Sequence, residues 1–288
     1  MASYDPYYND VKLLLLGNGT NDSQTITDEK GHTITVNGNT CIKTATKKFG
    51  TGSIYFDGNG DYLSLASTDL NIGTGDFTAD MWVYLDGAQE NGAPFIGNWD
   101  GGTGWMFYLQ SGYLRAVIGS TFSTASTSLV PTDQWVHIAI SRESGVVRTY
   151  IGQDKVSQDT IAGTIDHTTN TLVGFRGDTF GYYFKGYMDD VRFTNYARYT
   201  TGTIRVPAFQ AGITNVPPAI NISAIAPATV PTSGGTPVTV TGSGFSDYTT
   251  CAIDGTSLDL IALVSDTSLT GETPAKTVGF KDVVVGNP

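Results

Sequence analysis

Two adjacent carboxylates, Asp189 and Asp190, lie within KGYMDDVRFTNYARY (Lys185–Tyr199), a segment whose other residues indicate a β-strand. Two carboxyl groups can act as the acid and the base of a glycosidase when they converge on one bond at roughly 5–10 Å. Adjacent side chains in a regular strand point to opposite faces of the sheet. We therefore expect that Asp189 and Asp190 do not form a catalytic pair.

Other residue types that perform catalysis are few and scattered. The four glutamates do not recur at alternate positions of one strand: they are Glu29, Glu90, Glu143 and Glu272. The three histidines, His32, His137 and His167, lack the clustered spacing of a lyase site, and His137 is typical of a packed or hydrogen-bonded structural residue. No nucleophile elbow, phosphate-binding glycine loop or zinc spacing is present. The sequence therefore predicts that the protein is not an enzyme.

Two aromatic segments combine flat rings with amides and carboxylates: FIGNWDGGTGWMFYL (Phe95–Leu109) and GDTFGYYFKGY (Gly177–Tyr187). Rings with a few polar neighbours suit the face of a sugar. The candidate glycan-binding residues are Trp99, Asp100, Trp105, Asp178, Tyr182 and Tyr183. Packing in the core or at a sheet edge is the alternative, because alternation buries about half of such rings. A third cluster, Tyr4–Tyr8, lies either across the fold or against a partner.

Short strands must position these residues. Alternation with period two recurs, as in FTADMWVYL (Phe77–Leu85), and no helical periodicity reaches about 10 residues. A length of 288 residues is enough for a large β-sandwich and a small second domain. Gly212, Asn215, Pro217 and Pro218 interrupt any ladder, and aromatic residues become rare after them. We predict an all-β protein with a first domain at 1–211, a linker at 212–216 and a second domain at 217–288.

Charge and cysteine usage exclude several classes of function. The net charge is −11, of which −4 comes from two basic and six acidic residues beyond Asn215, so both parts are acidic and nucleic-acid binding is not expected. The apolar run Val11–Leu16 is too short for a signal-peptide core or a membrane span. We therefore expect neither ordinary secretory export nor membrane insertion. Cys41 and Cys251 fall in different predicted domains, which favours two buried thiols over a disulfide.

The first domain resembles the laminin G-like branch of the concanavalin A-like jelly rolls. The resemblance rests on four motifs in the family's order, which together span most of the domain. They are FDGNGDYLSL (Phe56–Leu65), GDFTADMWVYL (Gly75–Leu85), WVHIAISRESGVVRTYIGQDKV (Trp135–Val156) and KGYMDDVRFTNYARY (Lys185–Tyr199). The resemblance implies a jelly-roll sandwich.

The resemblance also implies a structural calcium ion near the closing strand. Calcium takes several oxygen ligands, including carboxylates. Asp189 or Asp190 would supply one ligand, with Asp57 and Asp61 of the FDGNGD turn as companions. Aspartates in such turns also bond to their own backbone, which requires no ion, and both interpretations stay open.

The second domain resembles the IPT/TIG type of immunoglobulin-like β-sandwich, through SGGTPVTVTGSGF (Ser233–Phe245) and GFKDVVVGNP (Gly279–Pro288). Such domains usually continue past the Val283–Val285 position with another strand. Without that strand, a neighbouring strand has unpaired backbone groups. We expect either that another chain or a second copy pairs with this open edge, or that the sandwich is shortened but self-sufficient.

Both resemblances imply adhesive or scaffolding modules, and the opening DPYYNDVKLLLL (Asp5–Leu16) is similar to strands in phage tail and head-surface proteins. The leading interpretation is a non-enzymatic phage structural protein, displayed on the capsid or tail of the virion as decoration, fibre or adhesin. Its partners would be other virion proteins or copies of itself, and host-surface glycans. The alternative is a carbohydrate-binding adhesion module of a bacterial surface or secreted protein.

Overall fold

The computed structural model describes residues 4–207, 210 and 216–287, with only the backbone of Ser67 and Asp69. These residues form two units. The first is Asp10–Val206, and the second combines the N-terminal segment up to Asn9 with the chain from Pro207 onward. The predicted domain boundaries stay a prediction, since the boundary at residue 211 and the linker residues 212–215 lie outside the described residues.

The first unit is built from antiparallel strands, as alternation predicts. Two short 3-10 helices, Tyr8–Asp10 and Ser67–Leu70, are the helical segments of the described chain. The strands are β1 (Val11–Leu15), β2 (Thr35–Asn37), β3 (Cys41–Lys43), β4 (Ser53–Asp57), β5 (Tyr62–Leu65), β6 (Phe77–Leu85), β7 (Pro94–Gly97), β8 (Trp105–Gln110), β9 (Tyr113–Ile118), β10 (Thr121–Phe122), β11 (Trp135–Glu143), β12 (Val146–Ile151), β13 (Asp154–Thr160), β14 (Thr171–Val173) and β15 (Lys185–Thr194).

Two sheets face each other across a single apolar core. The larger has the order β13-β12-β11-β6-β15-β4-β3, with β1 also paired to β15, and the smaller has the order β10-β9-β8-β7-β14-β5-β2. Phe77, Trp105 and Phe193 meet at the centre of the core, with ring centroids 5.4–5.5 Å apart. Each strand of the larger sheet therefore has one face in the core and one outer face turned away from it. The predicted jelly-roll sandwich is confirmed.

The strand β15 contains a β-bulge at the two aspartates. Its pairing with β4 ends at Met188, its pairing with β1 begins at Val191, and its register with β6 shifts between Asp189 and Arg192. Asp190 has a φ of 51°, which is the left-handed conformation. Met188 and Val191 both lie in the core. Regular alternation therefore fails at Asp189 and Asp190, and the sequence-based argument that placed them on opposite faces is wrong at this point.

The described residues of the second unit form seven short strands in two sheets, and the core includes Val238, Val240, Phe245 and Leu269. One sheet has the order β16-β17-β21-β20 and the other the order β19-β18-β22. The strands are β16 (Asn221–Ala226), β17 (Pro237–Ser243), β18 (Thr250–Ile253), β19 (Thr256–Ser257), β20 (Asp259–Ser265), β21 (Ser268–Glu272) and β22 (Val283–Gly286). Within the described chain, β22 pairs with β18 alone, and pairing of this edge with another chain or a second copy stays a prediction.

The N-terminal aromatic cluster packs within the second unit. The rings of Tyr4 and Tyr7 make edge-to-face contacts with Tyr248, at centroid distances of 6.1 and 6.0 Å. The prediction of two buried thiols is confirmed, because Cys41 and Cys251 are free and buried. No helix in the described residues is long and apolar enough to cross a membrane.

Candidate functional site

Asp189 anchors a loop rather than facing solvent. Its Oδ2 atom accepts hydrogen bonds from the backbone N–H groups of Lys48 and Phe49, both at 3.0 Å. Burial raises the pKa of Asp189 to about 7. Burial also lowers the pKa of Lys48, whose Nζ lies 3.9 Å from the ring centroid of Trp82. The loop containing Lys48 and Phe49 therefore covers this part of the outer face.

The structure separates Asp57 and Asp61 from the aspartates of β15. Asp57 lies opposite Lys185 in the β4–β15 register, and Asp189 is four residues further along that strand, at about 3.3 Å per residue. Asp61 accepts hydrogen bonds from the backbone N–H groups of Asp57 (2.9 Å) and Asn39 (2.7 Å), the turn contacts that need no ion. No group of three His, Cys, Asp or Glu side chains suited to a metal ion occurs among the described residues. This separation does not favour a single ion that binds Asp57, Asp61 and an aspartate of β15 together, and the structural calcium ion stays a prediction.

The six predicted glycan-binding residues comprise one core residue, three residues around Arg176 and two residues with separate local contacts. Trp105 is fully buried in the core and has no face for a ligand. Trp99 and Tyr182 pack around the guanidinium of Arg176, at 5.0 and 5.7 Å from its central carbon. Asp178 forms an ion pair with the same arginine at 2.7 Å. The side chain of Arg176 therefore packs against the rings that the sequence predicted to contact a sugar.

The other two predicted residues, Asp100 and Tyr183, are also engaged locally. Asp100 accepts hydrogen bonds from the backbone N–H groups of Thr103 and Gly102, and these bonds with that from His167 lower its pKa to about 2. The Tyr183 ring stacks on Phe175 at a centroid distance of 4.6 Å. Their use by a ligand stays a prediction.

The outer face of the larger sheet carries a feature that sequence reasoning missed. Trp135, Tyr84, Tyr187 and Tyr55 are direct cross-strand neighbours on β11, β6, β15 and β4. Successive ring centroids are 5.9, 5.7 and 4.9 Å apart, and all four side chains are half-buried. We call these four residues the aromatic row. It crosses four strands, about 15 Å at a strand spacing of roughly 4.8 Å.

Polar groups flank the Tyr55 end of the aromatic row. The Nζ atom of Lys43 lies 5.6 Å from the Tyr55 ring centroid and pairs with Asp22 at 2.6 Å. Burial, with Tyr187 and nearby carboxylates, raises the pKa of Tyr55, so its hydroxyl is a neutral hydrogen-bond donor at physiological pH. Lys185 pairs with Asp86 at 3.3 Å. The row is therefore an apolar strip with hydrogen-bonding groups at one end.

Further along the same face, the outer surface is closed by a buried ionic network. Asp80 accepts bonds from Arg192 at 2.6 Å and lies 3.2 Å from His137. Burial alone would raise the pKa of Asp80, but Arg192 and His137 lower it below its usual value. The Tyr199 hydroxyl donates to the same carboxylate at 3.1 Å. The structural role predicted for His137 is confirmed.

Two profiles of known protein families match the chain. A sequence profile described as the concanavalin A-like lectin/glucanases superfamily matches residues 57–201, which is half of the chain. The chain belongs to this superfamily. A profile of the IPT/TIG domain matches residues 221–288 of this chain. The predicted order of domains is confirmed. A search of curated protein sequences finds no match.

Solved structures similar to this superfamily member share its fold. One is domain 4 of AbnA, a GH43 extracellular arabinanase from Geobacillus stearothermophilus, in complex with arabinotriose: 18% identity, 65% of this chain, 93% of that chain, TM-score 0.50. The receptor-binding domain of botulinum neurotoxin D matches with 12% identity, 67% of this chain, 51% of that chain and a TM-score of 0.52. Botulinum neurotoxin type C, whose cell entry depends on two ganglioside molecules, matches with 10% identity over 67% and 49% of the two chains, at a TM-score of 0.51.

Proposed function

We propose that the protein is a non-enzymatic glycan-binding protein and that the aromatic row is its binding surface. The single observation that carries the proposal is the alignment of four half-exposed rings in register on four adjacent strands. The C–H-rich faces of sugars pack on aromatic rings, and a few hydrogen-bonding groups beside the rings give orientation. A strip about four strands wide favours an oligosaccharide over a single sugar.

The placement of the carboxylates supports binding without catalysis. Near the row, Asp57 accepts a bond from Asn59 of its own turn, and Asp86 pairs with Lys185. Asp80, on the same face, is buried with Arg192. A glycosidase needs two carboxyl groups that converge on one bond, one of them free to protonate it. These engaged carboxylates suit structural roles better.

The class of ligand is also supported by what similar proteins bind. The arabinanase domain is complexed with arabinotriose, and the botulinum type C toxin interacts with gangliosides. Both ligands are glycans or carry them. Because identities of 10–18% indicate fold similarity alone, the ligand of this chain has to be established on the chain itself.

An array of immobilised glycans tests the proposal. The wild-type protein should bind a defined set of oligosaccharides, and Tyr187→Ala should lose that binding because it removes a central ring of the row. Tyr182→Ala is the matched control, since Tyr182 is a half-exposed tyrosine near Arg176 instead. Retained binding by Tyr187→Ala together with loss by Tyr182→Ala would move the site to the loops predicted from sequence.

We infer further that the protein is displayed on a phage virion, on the capsid or tail. The supporting observations are the similarity of Asp5–Leu16 to strands of phage surface proteins and the union of a lectin-like module with an IPT/TIG module. Mass spectrometry of purified particles tests this location. Many copies per particle would support decoration and few copies an adhesin, whereas absence would favour the bacterial surface or secreted module.

A further inference from the structure

The second unit contains an open apolar groove that is separate from the aromatic row. Its volume is about 450 Å³. Ile225, Val238, Ile253 and Val283 line it, and the almost fully exposed Val278 and Phe280 lie at its margin. We call this feature the C-terminal groove. A volume of this size lies within the range of clefts that bind ligands.

Exposed apolar side chains are concentrated in this part of the chain. Of twelve strongly exposed large apolar side chains in the described residues, seven lie beyond residue 215, in about a quarter of the chain. They are Val216, Ile222, Leu260, Val264, Val278, Phe280 and Val284. Apolar side chains in contact with water are less stable than the same side chains when buried. A partner that covers some of them would recover part of this stability.

A free strand edge adjoins the C-terminal groove. Val283, which lines the groove, is the first residue of β22, and β22 pairs with β18 on one side only within the described chain. Outward-facing backbone N–H and C=O groups of an edge strand accept another extended strand. Neither a helix nor a lipid chain can satisfy these groups in register, so the groove and the edge together specify an extended polypeptide.

The charged residues at the groove indicate which side chains that polypeptide should carry. Lys276 and Lys281 are the two basic residues beyond residue 215, and both line the groove. Lys281 lies 3.4 Å from the carboxylate of Asp254. The Nζ atom of Lys276 donates to the Asp254 carbonyl at 3.0 Å and the Thr256 hydroxyl at 2.6 Å, without a carboxylate partner among the described residues. An acidic group on the incoming strand would complete this cluster.

We propose that the C-terminal groove binds an extended segment of another protein, which adds a strand to β22. Alternate side chains of this segment are apolar and enter the groove, and a carboxylate near one end pairs with Lys276. Backbone hydrogen bonds to β22 supply part of the affinity, and the groove supplies the selection for side chains. This inference is independent of glycan binding, because the aromatic row lies in the other unit.

A capped synthetic peptide of sequence DVTVTVTVD is the probe, measured by fluorescence anisotropy against the full chain. We expect saturable binding and slower amide exchange at residues 283–286. Replacing both peptide aspartates with lysine should weaken binding roughly fivefold. The variant Lys276→Glu should reverse this preference, whereas Leu260→Glu, on β20 outside the groove, should leave it unchanged.

Three results would overturn the proposal. The first is the absence of binding by the acidic peptide to wild-type protein. The second is equal binding of a peptide with a central proline, which cannot complete the ladder. The third is concentration-dependent dimerisation of the wild-type protein that Lys276→Glu abolishes, since a second copy would then be the occupant.

Discussion

The substitution Asp189→Asn should remove most of the pH dependence of jelly-roll stability between pH 5 and pH 8. Burial raises the pKa of Asp189 from 3.8 to about 7 in the folded protein. Between these values the folded carboxyl keeps a proton that the unfolded one has released. The carboxyl therefore contributes stability at low pH, and this contribution is lost as the pH rises through the folded pKa.

The size of this effect follows from the pKa difference. One pKa unit corresponds to about 1.36 kcal/mol, so linkage gives a loss of roughly 2.5 kcal/mol in the free energy of unfolding from pH 5 to pH 8. An amide has no such titration, and its oxygen still accepts the bonds from Lys48 and Phe49. The wild-type protein should therefore lose about this much more stability than Asp189→Asn over the same range.

Urea unfolding monitored by tryptophan fluorescence is the assay. All four tryptophans lie between residues 82 and 135, so the signal reports on the jelly roll alone. Asp100→Asn is the matched control: bonds from Thr103 and Gly102 lower the Asp100 pKa to about 2, so its titration is complete below pH 5. Parallel pH profiles for the wild-type protein and Asp189→Asn would refute the reasoning.

Three further predictions concern calcium, the core and the N-terminal cluster. Calcium added at pH 8 should raise the Tm of the wild-type protein but not of Asp189→Asn; a melt unchanged by chelator removes the calcium prediction. Trp105→Ala should lower the free energy of jelly-roll unfolding by about 3–5 kcal/mol in urea titrations, because the ring is fully buried. Tyr248→Ala should lose two edge-to-face contacts, about 1–3 kcal/mol, measured by amide exchange in the second unit, with tryptophan-monitored unfolding unchanged.

The sequence was sufficient to predict the architecture because strand alternation and turn residues are local properties. Phe77–Leu85 is a strand with the predicted bounds, and both domain types are confirmed. The bulge at Asp190 could not be predicted in the same way. It occurs where the neighbour of β15 changes from β4 to β1, and this change depends on contacts distant in sequence.

The aromatic row was missed for a related reason. Tyr55, Tyr84, Trp135 and Tyr187 stand alone in four separate strands, whereas the rings near Trp99 and Tyr182 are dense in sequence. The closely spaced aromatic residues near Trp99 and Tyr182 pack around Arg176. The aromatic row, in contrast, forms because the strand order places four outward-facing positions side by side. Alternation indicates that each of these four residues faces outward from its strand. To predict that the four are neighbours, the pairing register of the strands must also be known.

Glycan binding by the aromatic row is tested most directly by calorimetric titration of the strongest array ligand into wild-type protein and Trp135→Ala. Trp135 lies at one end of the row and is not a member of the core cluster, so its removal should leave the fold intact. We predict at least a roughly tenfold rise in Kd for Trp135→Ala, and no change for Tyr113→Ala, an exposed tyrosine on the smaller sheet. An unchanged Kd for Trp135→Ala, or equal losses in both variants, would contradict the assignment of the row as the glycan-binding surface.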